Sequence, residues 1–425
     1  MKTSATKDRA TTGVVPKLRF PEFRAAPLRI VHLGDVTEEG RHRNGNKHSA
    51  ASVMGVSKAD GIVPMEARLI AADIERYKIV EHDWFAYNPM RLNIGSIARW
   101  QGGREILVSP DYVVFKCIAD DDSGISPGYV DQFRQTKAWD EFVNQGGDGG
   151  VRVRIYYKDI ARIPLALPSP AEQQKIADCL SSLDDLIAAQ GRKVEVLKTY
   201  KKGLMQQLFP REGEIQPRLR FPEFQDGGAW EEKALGQLVT FQSGSTPSKA
   251  HSAFWDGFIP WVSAKDMKQL FLDDAEDHIS EAAVDDGARL VPSGTLLMLV
   301  RGMTLLKDVP ICIVRRELSF NQDVKALRPI EGIAPLFLAL LLTSAKDRLL
   351  EMVTVAGHGT GKLDTDELKS MLLLQPKPEE QQRIADCIAS LDTHITAATQ
   401  ALDTLKTHKR GLMQQLFPSA EALGA

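Results

Sequence analysis

A stretch of 43 residues occurs twice in this chain: Pro168 to Pro210 returns without a gap as Pro376 to Pro418, identical at 26 positions. Such a duplication demands two similar folding units in tandem, because its period, on the order of 200 residues, is far too long for the stacking units of a solenoid. A shorter echo precedes each copy at a distance, since Pro16-Lys-Leu-Arg-Phe-Pro-Glu-Phe23 reappears as Pro217-Arg-Leu-Arg-Phe-Pro-Glu-Phe224. The stretches between the echoes share little beyond an opening Leu33-Gly34-Asp35-Val36 against Leu235-Gly236-Gln237-Leu238. Each half joins a repeated part to a private part.

The repeated part has the pattern of a coiled coil. Apolar residues fall at Ile176, Leu180, Leu183, Ile187, Val194, Leu197, Leu204 and Leu208, in steps of four and three, with Gln190 and Lys201 as the polar positions on the seam. The second copy repeats the stripe with Ile384, Ile388, Leu391, Ile395, Ala398, Leu402, Leu405, Leu412 and Leu416, and with Lys409 at the place of Lys201. Ser169-Pro170-Ala171-Glu172 reads as a helix start, with Ser169 as cap and Glu172 closing a capping box. Phe209-Pro210 and Phe417-Pro418 end both helices. One amphipathic helix alone could pack on its own globular neighbour. Two with the same narrow stripe most economically bury it against each other, as a rigid spacer roughly 50 Å long at ~1.5 Å per residue. Gln190 and Lys201 either fix the register of that pair or are solvated heptad edges.

Length and charge narrow the function classes. A chain of 425 residues suggests two to three domains, each half being large enough for its own core. The longest apolar runs, Leu296 to Val300 and Leu336 to Leu342, fall far short of the ~18 residues of a membrane span, and Met1 to Gly13 is polar, so a cytoplasmic protein without membrane contact is expected. Four isolated cysteines, at 117, 179, 312 and 387, offer neither a zinc pattern nor a disulfide framework. A net charge of −3 argues against coating nucleic acid indiscriminately and requires any nucleic-acid site to be concentrated.

The private parts read as α+β. Glu105 to Ser109, Tyr112 to Ile118 and Val151 to Tyr156 carry strand patterns in the first; Gln145 to Gly150 reads as a glycine-rich loop. The second shows strands at Gly294 to Val300 and Ile311 to Val314 and a helix from Pro335 to Met352. Basic and amide side chains gather in turns: Arg41, Arg43, Asn44 and Lys47, then Arg99 with Arg104 and Arg152 with Arg154, and in the second unit Lys249, Lys265, Arg301, Asn321, Gln322 and Lys362. These are the side chains whose donors and acceptors match base edges and phosphates, so they are the candidate DNA contacts, although each taken singly also reads as a solvated loop residue.

Enzyme motifs fail when tested. Asn88-Pro89-Met90 lacks the second proline and the aromatic ring of amino-methylating enzymes. Gly357-His-Gly-Thr-Gly-Lys362 has the wrong spacing for a phosphate loop and is followed by Leu363 where a metal-binding hydroxyl belongs. Gly124-Ile-Ser126-Pro-Gly128 has the letters of a nucleophile elbow, but Pro127 has no N–H for an oxyanion hole. Asp226 with Glu231-Glu232-Lys233 only imitates a nuclease cluster, and no nucleotide loop or metal pair is present.

The arrangement resembles the specificity subunit of a type I restriction-modification system, from Pro16 to Pro418. The resemblance rests on the paired Leu-Arg-Phe-Pro-Glu-Phe openings and the paired Pro-x-Glu-Gln-Gln-Lys/Arg-Ile-Ala-Asp-Cys helices ending Gly-Leu-Met-Gln-Gln-Leu-Phe-Pro. Gly244-Ser-Thr-Pro247, Pro260 to Asp266, Asn321-Gln-Asp323, Gly359-Thr360 and Gly150 to Ile155 add to it; the first unit departs in having Pro27-Leu28 near the place of Trp230. It implies an α+β fold of two globular target-recognition domains, separated by two long helices in an antiparallel coiled coil. The expected boundaries are a flexible N-terminus at 1–15, recognition domains at 16–167 and 211–375, spacer helices at 168–210 and 376–418, and a tail at 419–425. It further implies a non-catalytic chain that reads a bipartite DNA site, bound by two methyltransferase subunits and by restriction/translocase subunits. S-adenosylmethionine, ATP and Mg²⁺ are then expected on those partners and no cofactor or metal on this chain. The alternatives are a coiled-coil scaffold for other proteins, an enzyme with an unfamiliar site, and the specificity subunit of a related system that cuts on both sides of its target.

Overall fold

The duplicated stretches are two helices of 39 residues, Pro170–Leu208 and Pro378–Leu416, each about 58 Å long at ~1.5 Å per residue. The computed structural model describes residues 15–120, 123–145, 154–355 and 359–419. Most of the expected flexible N-terminus and tail, the glycine-rich stretch Gly146 to Gly150, and Val151 to Val153 with Arg152 lie outside the described residues. Among the described residues no helix is long and apolar enough to cross a membrane.

The chain forms two units, Met1–Arg192 with Thr399–Ala425 and Lys193–Ala398, so each long helix contributes to both. In the first unit the start of the first helix lies beside the end of the second. Ile176 and Leu180 share a core with Met413, Leu416 and Phe417, and Leu183 and Leu412 pack against it. The second unit has the reciprocal arrangement, in which Leu208 and Phe209 join Ile384, Ala385 and Ile388, with Leu204 packed on them. Start beside end is antiparallel pairing in both. The seam residues named above are all buried or half-buried, whereas Leu186, Val196 and Tyr200, off the seam, are exposed.

A cross-helix ion pair lies on the seam in each unit. Lys409 Nζ lies 2.6 Å from an Asp184 oxygen in the first, and Lys201 Nζ lies 2.6 Å from an Asp392 oxygen in the second. Asp184 and Asp392 are the same repeat position, as are Lys201 and Lys409. The polar seam lysines therefore reach across to the partner helix.

The Leu-Arg-Phe-Pro-Glu-Phe echo is a clamp on that helix pair. In the first unit the Leu18 N–H donates to the Gln415 carbonyl at the end of one helix (3.0 Å). Arg19 then donates Nε–H to Glu172 at the start of the other (2.9 Å) and a further N–H to the Ala26 carbonyl (2.7 Å). Lys175 pairs with Glu22 and lies 4.8 Å from the Phe20 ring centre. The second unit repeats this with Leu219 on the Gln207 carbonyl (2.9 Å), Arg220 bidentate on Glu380 (2.7 and 2.7 Å), and Arg383 on Glu223 (3.1 Å) and over Phe221. Glu172 thus does not close the expected capping box: its carboxylate is taken by Arg19, while Ser169 Oγ accepts the Glu172 N–H (3.4 Å).

The Gln-Gln of each repeat is equally structural. Gln173 donates to the Pro168 carbonyl and accepts the N–H of Ser126, the residue before the helix Pro127–Phe133. Gln381 does the same with Pro376 and with Ala334, before the helix Pro335–Ser344. An antiparallel ladder enters each private part, Arg29–His32 with Pro164–Leu167 and Glu231–Ala234 with Leu372–Gln375. Leu28 and Trp230 each precede the first of these strands, which settles the alignment of the two openings. Trp230 packs against Phe209 and Phe337, with ring centres 6.4 and 6.0 Å away. In the first unit Tyr129 fills against Phe417 at 5.2 Å.

Beyond the ladders the interiors diverge. The first unit has a four-stranded sheet in the order Thr37–Glu39, Val113–Cys117, Phe85–Tyr87, Ile97–Arg99. The second has a five-stranded sheet in the order Val239–Ser243, Val324–Pro329, Leu296–Leu299, Ile311–Val314, Phe271–Leu272. Two expectations change. The helix expected from Pro335 to Met352 breaks at Ala345 into Pro335–Ser344 and Lys346–Glu351. The Thr343 and Ser344 hydroxyls there donate back to the Ala339 and Leu341 carbonyls, competing with the helical ladder. Arg154 to Tyr156 are not a strand, because the Ile155 N–H is spent on the Pro89 carbonyl and a short helix starts at Tyr157.

Candidate nucleic-acid interface

In the second unit one end of the five-stranded sheet gathers stretches far apart in sequence. Gly244 follows the strand Val239–Ser243 so closely against its neighbour that an added Cβ would lie 2.2 Å from the Phe320 carbonyl oxygen and 2.3 Å from that of Asn321. Only glycine fits, and the Ser245 N–H can then reach the Phe320 carbonyl (3.0 Å). Trp261 Nε1–H donates to the Ser245 carbonyl (3.0 Å), the Asn321 N–H to Val262 (2.9 Å), and Thr246 Oγ1–H to Gln322 Oε1. The Asp323 carbonyl accepts the N–H groups of Val300 (2.8 Å) and Arg301 (3.2 Å). Arg301 in turn stands opposite Lys362 in a three-stranded sheet. Arg301, Gln322, Lys362 and Thr246 are thereby brought to one sheet end, all exposed.

Other candidates of this unit are differently employed. Asn321 is buried, its Oδ1 accepting the Asp323 N–H (3.1 Å). Lys265 is held between Glu276 and Asp277, each at 3.0 Å, and hydrogen bonds to Asp277 and then Glu276 push its pKa above the ordinary lysine range. Lys249 is exposed, in the loop that follows Thr246. Gly357 and His358 of the glycine-rich stretch lie outside the described residues.

The first unit collects fewer of its candidates in one place. Asn44 is buried and fully used: its amide donates to the His48 (3.0 Å) and Ile74 (3.3 Å) carbonyls and its oxygen accepts the His48 N–H (2.8 Å). Arg43 bridges to Lys78 and donates to the Arg76 carbonyl (2.7 Å), and Arg41 pairs with Glu39 (2.9 Å). Lys78 was not among the sequence candidates. Burial, with Arg43 next, holds its ammonium pKa below the usual range, and its Nζ donates to the Tyr112 carbonyl. Lys47 and His48 share Glu105, both at 2.7 Å, and pull that carboxyl below its ordinary value. Arg99 is paired with Asp83 at 2.6 Å. Arg104 and Arg154 are exposed, and Arg152 lies outside the described residues.

Sequence reasoning also missed Lys325 and Arg289 in the second unit. Lys325 stands in the strand Val324–Pro329 between fully buried Val324 and Ala326, and its Nζ donates to Ser243 Oγ. A lysine flanked by buried apolar residues in a strand was the available signal. Among the described residues no group of His, Cys, Asp and Glu is arranged to hold a metal.

This fold, a duplicated frame around unlike α+β interiors, is that of a DNA specificity domain, and the family model described as "Type I restriction modification DNA specificity domain" matches residues 228–407. Residues 228–407 thus belong to that domain family, and the chain as a whole is similar to the specificity subunits of type I restriction-modification systems. It is 29% identical over 249 residues to the EcoR124I/EcoR124II specificity subunit of Escherichia coli, an alignment covering 57% of this chain and 58% of that one. It is also 29% identical over 168 residues to the MjaIX specificity subunit of Methanocaldococcus jannaschii, covering 38% of each. The aligned stretches thus span less than two thirds of these relatives. In fold it is similar to the type I S subunit from M. genitalium, with a TM-score of 0.59 at 14% identity over 95% of this chain and 99% of that one.

Proposed function

We propose that the chain is the DNA sequence-recognition subunit of a type I restriction-modification complex, each unit reading one half of a split, asymmetric site. The observation that carries this reading is the division of labour within each half. Duplicated residues are spent on the frame, as in Arg19–Glu172 and Arg220–Glu380, while the unlike interiors carry the exposed basic and amide side chains. Equivalent frames suit two copies of one partner, a methyltransferase subunit, and unlike interiors suit two different half-sequences. Restriction/translocase subunits would join the methyltransferases. S-adenosylmethionine, ATP and Mg²⁺ belong on those partners, and this chain positions DNA without performing chemistry on it. The paired helices set the unread gap between the half-sequences. Phosphate contacts fix position and a few bidentate side chains fix sequence; the exposed Arg43, Arg154, Arg301, Gln322 and Lys362 are the candidates for such contacts, whereas Asn44 and Asn321 are buried.

Footprinting on DNA in the presence of the methyltransferase partner tests the reading. Protection of two short blocks flanking an unprotected gap is expected. A scaffold without DNA function protects nothing.

A further inference from the structure

Resting on that DNA-reading function, we propose that the sheet end of the second unit holds a seat for one backbone phosphate of DNA, formed by Lys325 and Ser243 with Arg289 and Arg301 at its rim. The strand register builds it. Lys325 stands opposite Ser243 on one side and Met298 on the other, and its ammonium reaches the Ser243 hydroxyl. Arg289 is brought in by its neighbour Leu290, whose carbonyl accepts the Nε2–H of Gln242 (3.3 Å), the residue before Ser243. Arg301 is brought in by its own N–H on the Asp323 carbonyl (3.2 Å), two residues before Lys325. Both arginines are exposed, so their guanidinium groups are open to a ligand.

Lys325, like Lys78, has a neutral partner for its ammonium rather than a carboxylate. Lys201, Lys265 and Lys409 each lie within 3.0 Å of a carboxylate. Lys325 is half-buried, and a neutral serine is the partner of its ammonium. Burial holds its pKa below the ordinary lysine range, with the charges of Lys369, Arg289 and Arg301 pushing the same way. A partly desolvated cation among cations lowers stability until an anion arrives, and such costs concentrate at binding sites. A tetrahedral oxyanion matches the donors on offer: a point-charge ammonium, a hydroxyl that can turn its proton outward, and two planar guanidinium forks. The neighbouring loops at Gly244 to Thr246 and Asn321 to Gln322 make the phosphate one of a duplex being read at the same sheet end. Such a contact sets register and carries no base information.

The test uses the complete complex with its methyltransferase partner, its cognate DNA, and the variants Lys325→Met and Arg289→Gln. Each variant is expected to bind every DNA sequence about tenfold more weakly, the loss of one charge-assisted contact, and to lower the salt slope of log K by ~1. The methylated motif should be unchanged. Ethylating single phosphates should reveal one whose modification weakens the wild type but no longer weakens Lys325→Met. Lys325→Met should melt no lower than the wild type; if it fails to fold, the exposed Arg289→Gln decides by the same readouts. Unchanged affinity and salt slope in a folded variant overturn the seat, and so does an altered methylated motif, which would make these residues base readers. Displacement of DNA by inorganic phosphate beyond that by chloride at equal ionic strength, lost in Lys325→Met, would identify a free anion as the ligand and also overturn it. If the wild-type complex leaves DNA unprotected, the broader reading of function fails instead.

Discussion

Removing one aspartate from each cross-helix pair should hurt the two units unequally, although the aspartates are copies of the same repeat position. Lys409 is the more confined lysine: its side chain is 8% exposed against 27% for Lys201. Its ammonium has Asp184 oxygens at 2.6 and 2.7 Å and Gln135 Oε1 at 2.9 Å. Coulomb attraction at ~4 Å and an effective dielectric of ~20 is about 4 kcal/mol before desolvation is subtracted. Asp184 is itself 42% exposed, so water replaces part of what it supplies. The loss for Asp184→Ala should fall between the ~1 kcal/mol of exposed pairs and the ~3–5 kcal/mol of broken buried ones, at about 2 kcal/mol. In the second unit Lys201 and Asp392 are 27% and 33% exposed, and Asp392→Ala should cost only about 0.5–1 kcal/mol. Calorimetry on the full chain should show one transition falling by about 4–8 °C for Asp184→Ala and the other by about 1–4 °C for Asp392→Ala, at ~2–4 °C per kcal/mol. Adding Lys409→Met should recover most of the Asp184→Ala loss, since the stranded ammonium goes with it. Equal losses in both units, or strictly additive single substitutions, would refute the reasoning.

Further outcomes follow from the same geometry. Arg19→Ala strands the buried Glu172 carboxylate and should cost about 3–5 kcal/mol, seen as a lower denaturant midpoint, and Arg19→Ala with Glu172→Leu should recover much of it. Gly244→Ala should weaken binding of DNA through the second half-sequence only, because the new methyl meets two backbone carbonyls. The Lys325 ammonium has a folded pKa below its unfolded value of ~10.4, so the unfolded chain binds more protons in that window and stability should rise with pH through it. Lys325→Met should flatten that rise in alkaline denaturation curves. Glu22 and Glu105 have folded pKa values lowered by Lys175 and by Lys47. Their contribution is present above the unfolded value of ~4.3 and should be lost as pH falls through the lower folded values.

The helices and their buried faces were legible because a heptad stripe is a local pattern that states which face is buried; that the two run antiparallel was an expectation from the family resemblance alone. The clamp was not. Arg19 and Glu172 are 153 residues apart, and nothing local in either says that they meet. Glu172 read as a capping residue on local grounds, and tertiary pairing took its carboxylate away. The candidate DNA contacts show the same limit: an asparagine in a polar turn looks exposed, yet Asn44 is drawn inside by three hydrogen bonds of its own. Lys325 was passed over for the opposite reason, since it lies in an apolar strand where a ligand-binding cation is not sought.

The most direct test is the methylome of a host carrying this chain with its methyltransferase partner, before and after residues 229–375 are exchanged for those of a relative with a different motif. The methylated sequence should be two unlike blocks around a fixed gap, and the exchange should change one block while leaving the other block and the gap intact. Methylation that ignores the exchange, or changes in both blocks at once, would contradict two independent readers on a duplicated frame.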